Sequence, residues 1–324
     1  MPSPNSSFGE LLSTTVQDLE DELFDNILTK NALTATLKSY GAVGTRDGGP
    51  QIVVPIEYAE NGSYKRYSGS EILNTTFNEV FSSFVYPWSQ VALAIQINGK
   101  EMLQNSGRSQ NRNLLKSRVV NAKHTFENQF NVDLLSDGAA TNQIVGLQTL
   151  ISPTGSGTVG GVSRAAYSFA ANQYYRCTTD GGAAVTAANI AGYMDVLDLR
   201  IQAYRGKTKV IIADDTMFRL YESAVHPLQR LTNAEKGALG KLGFNTYAYK
   251  SAEMVFEPTA SGMPSTTQYW IDPEVMELVS HSDRNLVQLP KRDSFNQDLS
   301  ISYLAWMGAL TVKNFRRLGT LNNN

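Results

Sequence analysis

Residues 108–135 read RSQNRNLLKSRVVNAKHTFENQFNVDLL, and more of the fold follows from this stretch than from any other. Leu115, Val119, Ala122, Phe126 and Phe130 recur at the period of one helix face, and Asp137-Gly138 supplies a stop just beyond Leu135. At about 1.5 Å per residue the spacing predicts a rod of roughly 40 Å, the longest helical signal in the chain. Arg108, Arg112, Lys116 and Lys123 fall within a narrow arc of that rod at about 100° per residue. Such a basic stripe reads either as a solvated helix face or as a docking site for acidic elements.

Upstream lies an acidic element. Residues 9–30 carry Leu12, Val16, Leu19, Leu23 and Ile27 at helical spacing, with Glu10, Asp18, Glu20, Asp21, Glu22 and Asp25 set against Lys30 alone. It reads as a solvated helix or as an arm that docks on a basic surface of another subunit. Next, Ile52, Val54, Ile56 and Tyr58 alternate as a strand, Asn61-Gly62 supplies a turn signal, and a β-rich stretch returns toward Ile97. Between the two lies a polar tip, Glu60 to Ser70. Pro55 and Pro87 cannot donate to a ladder, so these strands are not expected at the centre of a closed sheet. A two-stranded excursion is marginal alone, and is expected to rest on something, a neighbouring subunit included.

Downstream, Asn142 to Gly182 is rich in glycine and loop residues. An α/β block follows: Ile190, Met194, Leu197 and Ile201 mark an amphipathic helix closing at Arg205-Gly206, Lys209 to Ala213 a buried strand, and Thr216 to Ala224 a second helix. Further strands are predicted at Thr246 to Lys250, Tyr269 to Ile271 and Ala309 to Val312. No repeat recurs at a solenoid period.

At roughly 150 residues per domain, a chain of 324 residues predicts about two units, and 42% hydrophobic residues suffice for a core. With 28 Lys and Arg against 30 Asp and Glu, the balance argues against a generic nucleic-acid coat, which needs a basic surplus. The single cysteine, Cys177, excludes an intrachain disulfide and a thiolate metal cluster. The N-terminus lacks the pattern of a signal peptide and no apolar run is long enough for a membrane span, so the expectation is a soluble protein made in the cytoplasm. The sequons at Asn5, Asn61 and Asn74 then read as chance.

Several motifs suggest chemistry and fail on context. Gly155, Gly157 and Gly160 match G-x-G-x-x-G with Asp180 beyond them, but Ser152-Pro153-Thr154 precedes them and Thr158-Val159 does not open a helix, so a loop is expected. Asp214-Asp215 follows an apolar strand as a magnesium-binding strand end would, yet no phosphate-binding G-x-x-x-x-G-K-[ST] loop exists, and a helix N-cap is the simpler reading. His124, His226 and His281 lack metal-ligand spacing, and Cys177 has no local catalytic signature. No catalytic group, cofactor site or metal site is expected.

Near the C-terminus stand Asn296-Gln297-Asp298, then Trp306-Met307-Gly308-Ala309-Leu310, then Asn314-Phe315-Arg316-Arg317-Leu318-Gly319-Thr320-Leu321. After the rod come Ile144-Val145-Gly146-Leu147-Gln148-Thr149-Leu150 and a glycine-rich stretch ending in Arg164-Ala165. In this order the segments resemble the major capsid protein of tailed bacteriophages (Caudoviricetes), with its α+β Hong Kong 97 type capsid fold. The resemblance implies an N-terminal arm (1–45), an extended β-hairpin loop (46–95), a peripheral domain with the long spine helix (96–185), an axial domain (186–285) and a return to the peripheral domain (286–324). It implies a structural virion protein, not an enzyme, that self-assembles into hexamers and pentamers of an icosahedral shell around double-stranded DNA. The implied partners are other copies, a portal and decoration proteins, with no membrane and with assembly in the host cytoplasm. Other members begin with a scaffolding segment that is later removed; here only the segment up to Thr45 precedes the loop, so either scaffolding is a separate protein or this chain is the processed form, and Met1 favours the former expectation. One member crosslinks subunits through a loop lysine. Lys65 sits near the tip, but no motif for its partner is present, so no crosslink is expected.

The candidate functional residues are interfacial. Lys65, Arg66 and Tyr67 are expected to touch a neighbour, and Asp18, Asp21, Glu22 and Asp25 to pair across subunits with Arg112 and Lys116. Two rival readings stand beside this one: an encapsulin-type nanocompartment shell, and a soluble enzyme on the 187–224 block using Asp214 or Cys177.

Overall fold

The computed structural model describes residues 32–104, 114–225, 246–290, 292–293 and 297–323. Helix α1 (Ala32–Ser39) buries Ala32, Leu33 and Leu37 and leads into strand β1 (Val43–Arg46). The alternating stretch forms β2 (Ile52–Glu57), paired antiparallel with β3 (Phe81–Tyr86) from Ile52↔Tyr86 to Glu57↔Phe81 and with no third strand. Pro55 is tolerated because a two-stranded ribbon leaves a missing N–H facing outward. Asn61-Gly62 is not the hairpin's own turn. Residues 58–80 separate the strands, and Asn61 closes a local turn in which the N–H of Ser63 donates to its Oδ1 at 3.0 Å.

Beyond Pro87 the chain enters β4 (Ser89–Asn98), a short helix α2 (Gly99–Gln104) and the long helix α3 (Leu114–Leu135). Ala122, Phe126, Phe130 and Leu134 are its buried stripe, and Gly138 takes a φ of +70° just past its end. The glycine-rich stretch holds one helical turn, α4 (Leu147–Leu150), and a miniature hairpin of β5 (Thr158–Val159) and β6 (Val162–Ser163). The α/β block then follows as β7 (Gln173–Arg176), α5 (Cys177–Gly181), α6 (Ile190–Gln202), β8 (Val210–Ala213) and α7 (Asp215–Val225). Next come β9 (Thr246–Tyr249), β10 (Ala252–Phe256), β11 (Thr267–Ile271), β12 (Met276–His281), β13 (Val287–Gln288), β14 (Arg292–Asp293), β15 (Leu299–Val312) and β16 (Gly319–Asn322).

Two six-stranded sheets organise these elements. In the first, β15 pairs with β4 along Leu299–Gly308 and with β14, β13 and β12 on its other side, while β1 runs parallel to β12. Helix α3 packs on this sheet, Phe130 meeting Trp306 edge-on at 4.7 Å between ring centroids. The second sheet has the order β7-β16-β11-β8-β10-β9. Every residue of β8 is buried, because Ile211 and Ala213 face the core shared with α6 and α7 while Val210 and Ile212 face the larger core containing α1 and α3.

Sheet membership does not follow the order of the chain. The loop segment 46–95 gives most of β4 to the first sheet, β12 crosses back into that sheet before residue 285, and β16 lies in the second sheet between β7 and β11. Such pairings join segments far apart in the chain, and local hydrophobic pattern carries no record of them.

Where the two sheets meet, Glu257 is wholly buried. One carboxylate oxygen accepts the N–H of Ala32 at 2.8 Å and the other accepts the Asn131 amide at 2.8 Å, tying α1 and α3 to the end of β10. Burial raises its pKa above the ordinary 4.5 and the two donors oppose the rise. The folded chain thus holds this proton more tightly than the unfolded chain. Its contribution to stability is full below about 4.5 and is lost as pH rises through the raised folded value. Glu257→Gln, which keeps an acceptor and buries no charge, should flatten that part of the stability curve. Urea titrations between about pH 4 and 8 test this, and an unchanged curve would assign the dependence to other groups.

Candidate assembly interface

The hairpin's base is fixed to its own subunit. Phe84 packs edge-on against Phe315 at 5.0 Å, and the Tyr86 hydroxyl donates to the carbonyl of Val312 at 2.9 Å. Gly160 lies against Phe84 with a φ of +54°, accepts the N–H of Val85 at 3.0 Å, and leaves no room for a side chain, since a Cβ would stand 2.8 Å from that of Phe84. Arg164 in turn holds the glycine loop. Its buried guanidinium donates to the carbonyls of Thr149, Leu150, Ser156 and Ala170 and lies 5.4 Å from the Phe315 ring centroid.

The tip is built in the opposite way. Tyr64 is 81%, Ile72 90% and Phe77 87% exposed, and Phe81 at the strand end is 76% exposed. Large apolar side chains left exposed along the connection between β2 and β3 are the kind of surface that other molecules cover. Lys65 pairs with Glu71 at 3.0 Å and donates to the carbonyl of Ile72, so it shapes the loop; an exposed pair of this kind adds at most about 1 kcal/mol. Arg66 and Tyr67 are exposed beside it. Asp18, Asp21, Glu22, Asp25 and Arg112 lie outside the described residues, as does the side chain of Lys116 on α3. Sequence reading took the tip as polar and missed Ile72, Phe77 and Phe81. Their signal was available: apolar residues in a long connection with no period that could bury them.

The motifs that hinted at catalysis have structural roles. Gly155, Gly157 and Gly160 all have positive φ and lead into or turn the β5–β6 hairpin rather than a helix, and Asp180 pairs with Arg176 at 2.9 Å. Asp214 caps α7, accepting the N–H groups of Met217 at 3.0 Å and Thr266 at 2.7 Å. Cys177 is buried, and desolvation pushes its thiol up to about 12, the reverse of an activated nucleophile. The Nδ1 of His281 accepts the N–H of Asp283 at 3.1 Å, His124 lies on α3, and His226 falls outside the described residues. Among the described residues no group of three His, Cys, Asp or Glu is placed to hold a metal ion, and no helix is long and apolar enough to cross a membrane.

No protein-family description matches the chain, and no curated protein matches it. Solved structures do. The chain is similar to the capsid asymmetric unit of cyanophage A-1(L), with a TM-score of 0.69 at 14% identity over 95% of this chain and 96% of the other. The capsid of a native GTA particle matches with a TM-score of 0.58 at 12% identity, covering 99% of both chains. The SrpI encapsulin of Synechococcus elongatus PCC 7942 matches with a TM-score of 0.53 at 8% identity, over 93% of this chain and 92% of the other. Likeness of this extent at such low identity shows the fold: α+β, of the Hong Kong 97 capsid type, from end to end.

Proposed function

We propose that this chain is the structural major capsid protein of a tailed bacteriophage, forming the hexamers and pentamers of an icosahedral shell that encloses double-stranded DNA. The observation that carries the reading is the set of exposed apolar side chains on the β2–β3 connection, beyond a hairpin base anchored to its own subunit, on a fold shared with phage capsid subunits. A surface on one part of the subunit that seats on a different part of another copy makes a heterologous contact, the kind that builds rings such as hexamers and pentamers where its rotation closes. Many such contacts sum to a stable shell. The near balance of 28 basic against 30 acidic residues suits a lumen that does not grip packaged DNA. The reading assigns no catalysis. Its partners are other copies, a separate scaffolding protein, a portal and decoration proteins, in a virion assembled in the host cytoplasm.

Likeness to an encapsulin supports a second reading, a nanocompartment shell that holds protein cargo. Negative-stain microscopy with light scattering, on the chain alone and with a co-encoded scaffold, tests the first: closed shells or capsomer rings are expected. A monomer of 35.6 kDa under both conditions would overturn both shell readings. Purified particles that hold cargo protein and no nucleic acid would favour the nanocompartment.

A further inference from the structure

The sequence holds two Asn-Gly pairs, Asn61-Gly62 and Asn98-Gly99, and the structure places them in opposite settings. An asparagine followed by glycine can lose its side-chain amide to its own backbone, because no β-carbon on the following residue obstructs the attacking nitrogen. The electrophile is alike in both pairs. Asn61 Oδ1 accepts the N–H of Ser63 at 3.0 Å and Asn98 Oδ1 accepts that of Lys100 at 3.0 Å, which polarises each side-chain carbonyl. The nucleophile is not alike. The N–H of Gly99 donates to the carbonyl of Asp298 at 3.0 Å where β4 passes into α2, and the Asp298 carboxylate fills the space beside the Gly99 α-carbon, so this nitrogen is held away from Asn98 Cγ. The N–H of Gly62 has no acceptor among the described residues, and Asn61 and Gly62 are both exposed in the β2–β3 connection. Asn61 also lines a surface groove of about 600 Å³, wide enough for water to reach it. Asn74 and Asn78 line the same groove, but Thr75 and Glu79 follow them, and those side chains hinder the same attack.

We infer that Asn61 is a deamidation site of the free subunit. The Gly62 nitrogen gives up its proton to hydroxide or water and bonds to Asn61 Cγ; the Cγ–Nδ2 bond breaks, and the amide nitrogen leaves as ammonia, which takes up the proton. A five-membered imide remains. Water then opens it at either carbonyl: one C–N bond breaks, the water oxygen becomes a carboxylate oxygen, and the product is aspartate or isoaspartate. Water is the sole co-reactant, and nothing is oxidised or reduced. Each copy gains one negative charge in a groove that Phe77 and Phe81 also line. The consequence rests on the shell reading: an aged subunit assembles less well, because a new carboxylate loses water where those rings seat on a neighbour.

The test incubates the full-length chain, folded and unfolded in urea, in mildly alkaline buffer made with water enriched in heavy oxygen, and follows peptides by mass spectrometry against time. In the folded chain the exchange of amide for heavy-oxygen acid should run at least about tenfold faster at Asn61 than at Asn98. In urea the two rates should converge, since the fold alone separates them, and Gly62→Ala should slow the reaction at position 61 about tenfold in both conditions. Equal rates in the folded chain would overturn the inference, as would an Asn61 that survives folded while it reacts in urea, or rates that stay apart in urea. Asn61→Asp reads the consequence separately from the chemistry. It should raise the concentration at which light scattering detects shells about tenfold, and unchanged assembly would overturn the consequence while the site stands. A wild-type chain that forms no shells but deamidates at Asn61 would sink the shell reading and uphold the site.

Discussion

Replacing Ile72, Phe77 and Phe81 together by serine should abolish shell assembly and leave the subunit folded. All three side chains lie on or beside the loop tip, and all are largely exposed. Their loss therefore removes little from the subunit's own stability, and its melting temperature should move by no more than about 1 °C. Assembly is another matter. Seating one large apolar side chain on a neighbour contributes about 1.5–3 kcal/mol, so three contribute roughly 6 kcal/mol per seat, on the order of 10⁴ in the association constant. In a shell each copy gives one tip and receives another, which compounds the loss. Light scattering over a concentration series, paired with circular dichroism, reads the two effects separately. Shells forming at the wild-type concentration would remove the tip from the interface. A variant that failed to fold would show instead that these residues serve the subunit's interior, against their exposure.

The parts of this fold that were legible in the sequence are those with a local period. Phe126 and Phe130 announced α3, Ile190, Met194, Leu197 and Ile201 announced α6 and are all buried, and the apolar run into Ala213 announced β8. Long-range pairing was not legible. Only Ala309 to Val312 was predicted from a strand that runs from Leu299 to Val312, because Gly308 interrupts its pattern. In the structure Gly308 is where β15 changes partners, opposite both Ser89 of β4 and Ser280 of β12, with no space for a Cβ between Val279 and Trp306. The candidate interface divides in the same way. Lys65, Arg66 and Tyr67 were singled out for their charge and aromatic character, while Ile72 and Phe77 were passed over because nothing periodic flags a side chain left exposed. The fixed base was also unforeseen, since Gly160 meets Phe84 and Val85 across more than seventy positions of chain.

That base yields the second large effect: Arg164→Ala should lower stability by about 4 kcal/mol and free the hairpin from the body. The guanidinium is buried and makes four hydrogen bonds to backbone carbonyls, and among the described residues it has no ion pair with a carboxylate. Desolvation lowers its pKa to about 10, so it stays charged at neutral pH and its bonds are of the strong, charge-assisted kind. Alanine would leave four carbonyls to find water, at about 1–3 kcal/mol for each that stays buried, and the total falls short of the sum because a widened loop admits solvent. For a cooperative unit of this length, about 4 kcal/mol corresponds to a fall in melting temperature of roughly 6 °C. Lysine should recover little, because a single ammonium cannot span acceptors at positions 149, 150, 156 and 170 as a planar fork does. The distinguishing readout is proteolysis. Once the glycine loop loosens, the bond between Val85 and Gly160 and the seat of Phe84 go with it, so cleavage near residues 52–57 and 81–86 should quicken well before global unfolding. A fall of less than about 2 °C, or proteolysis that tracks global unfolding alone, would mean that Phe84, Tyr86 and Phe315 hold the hairpin without the arginine.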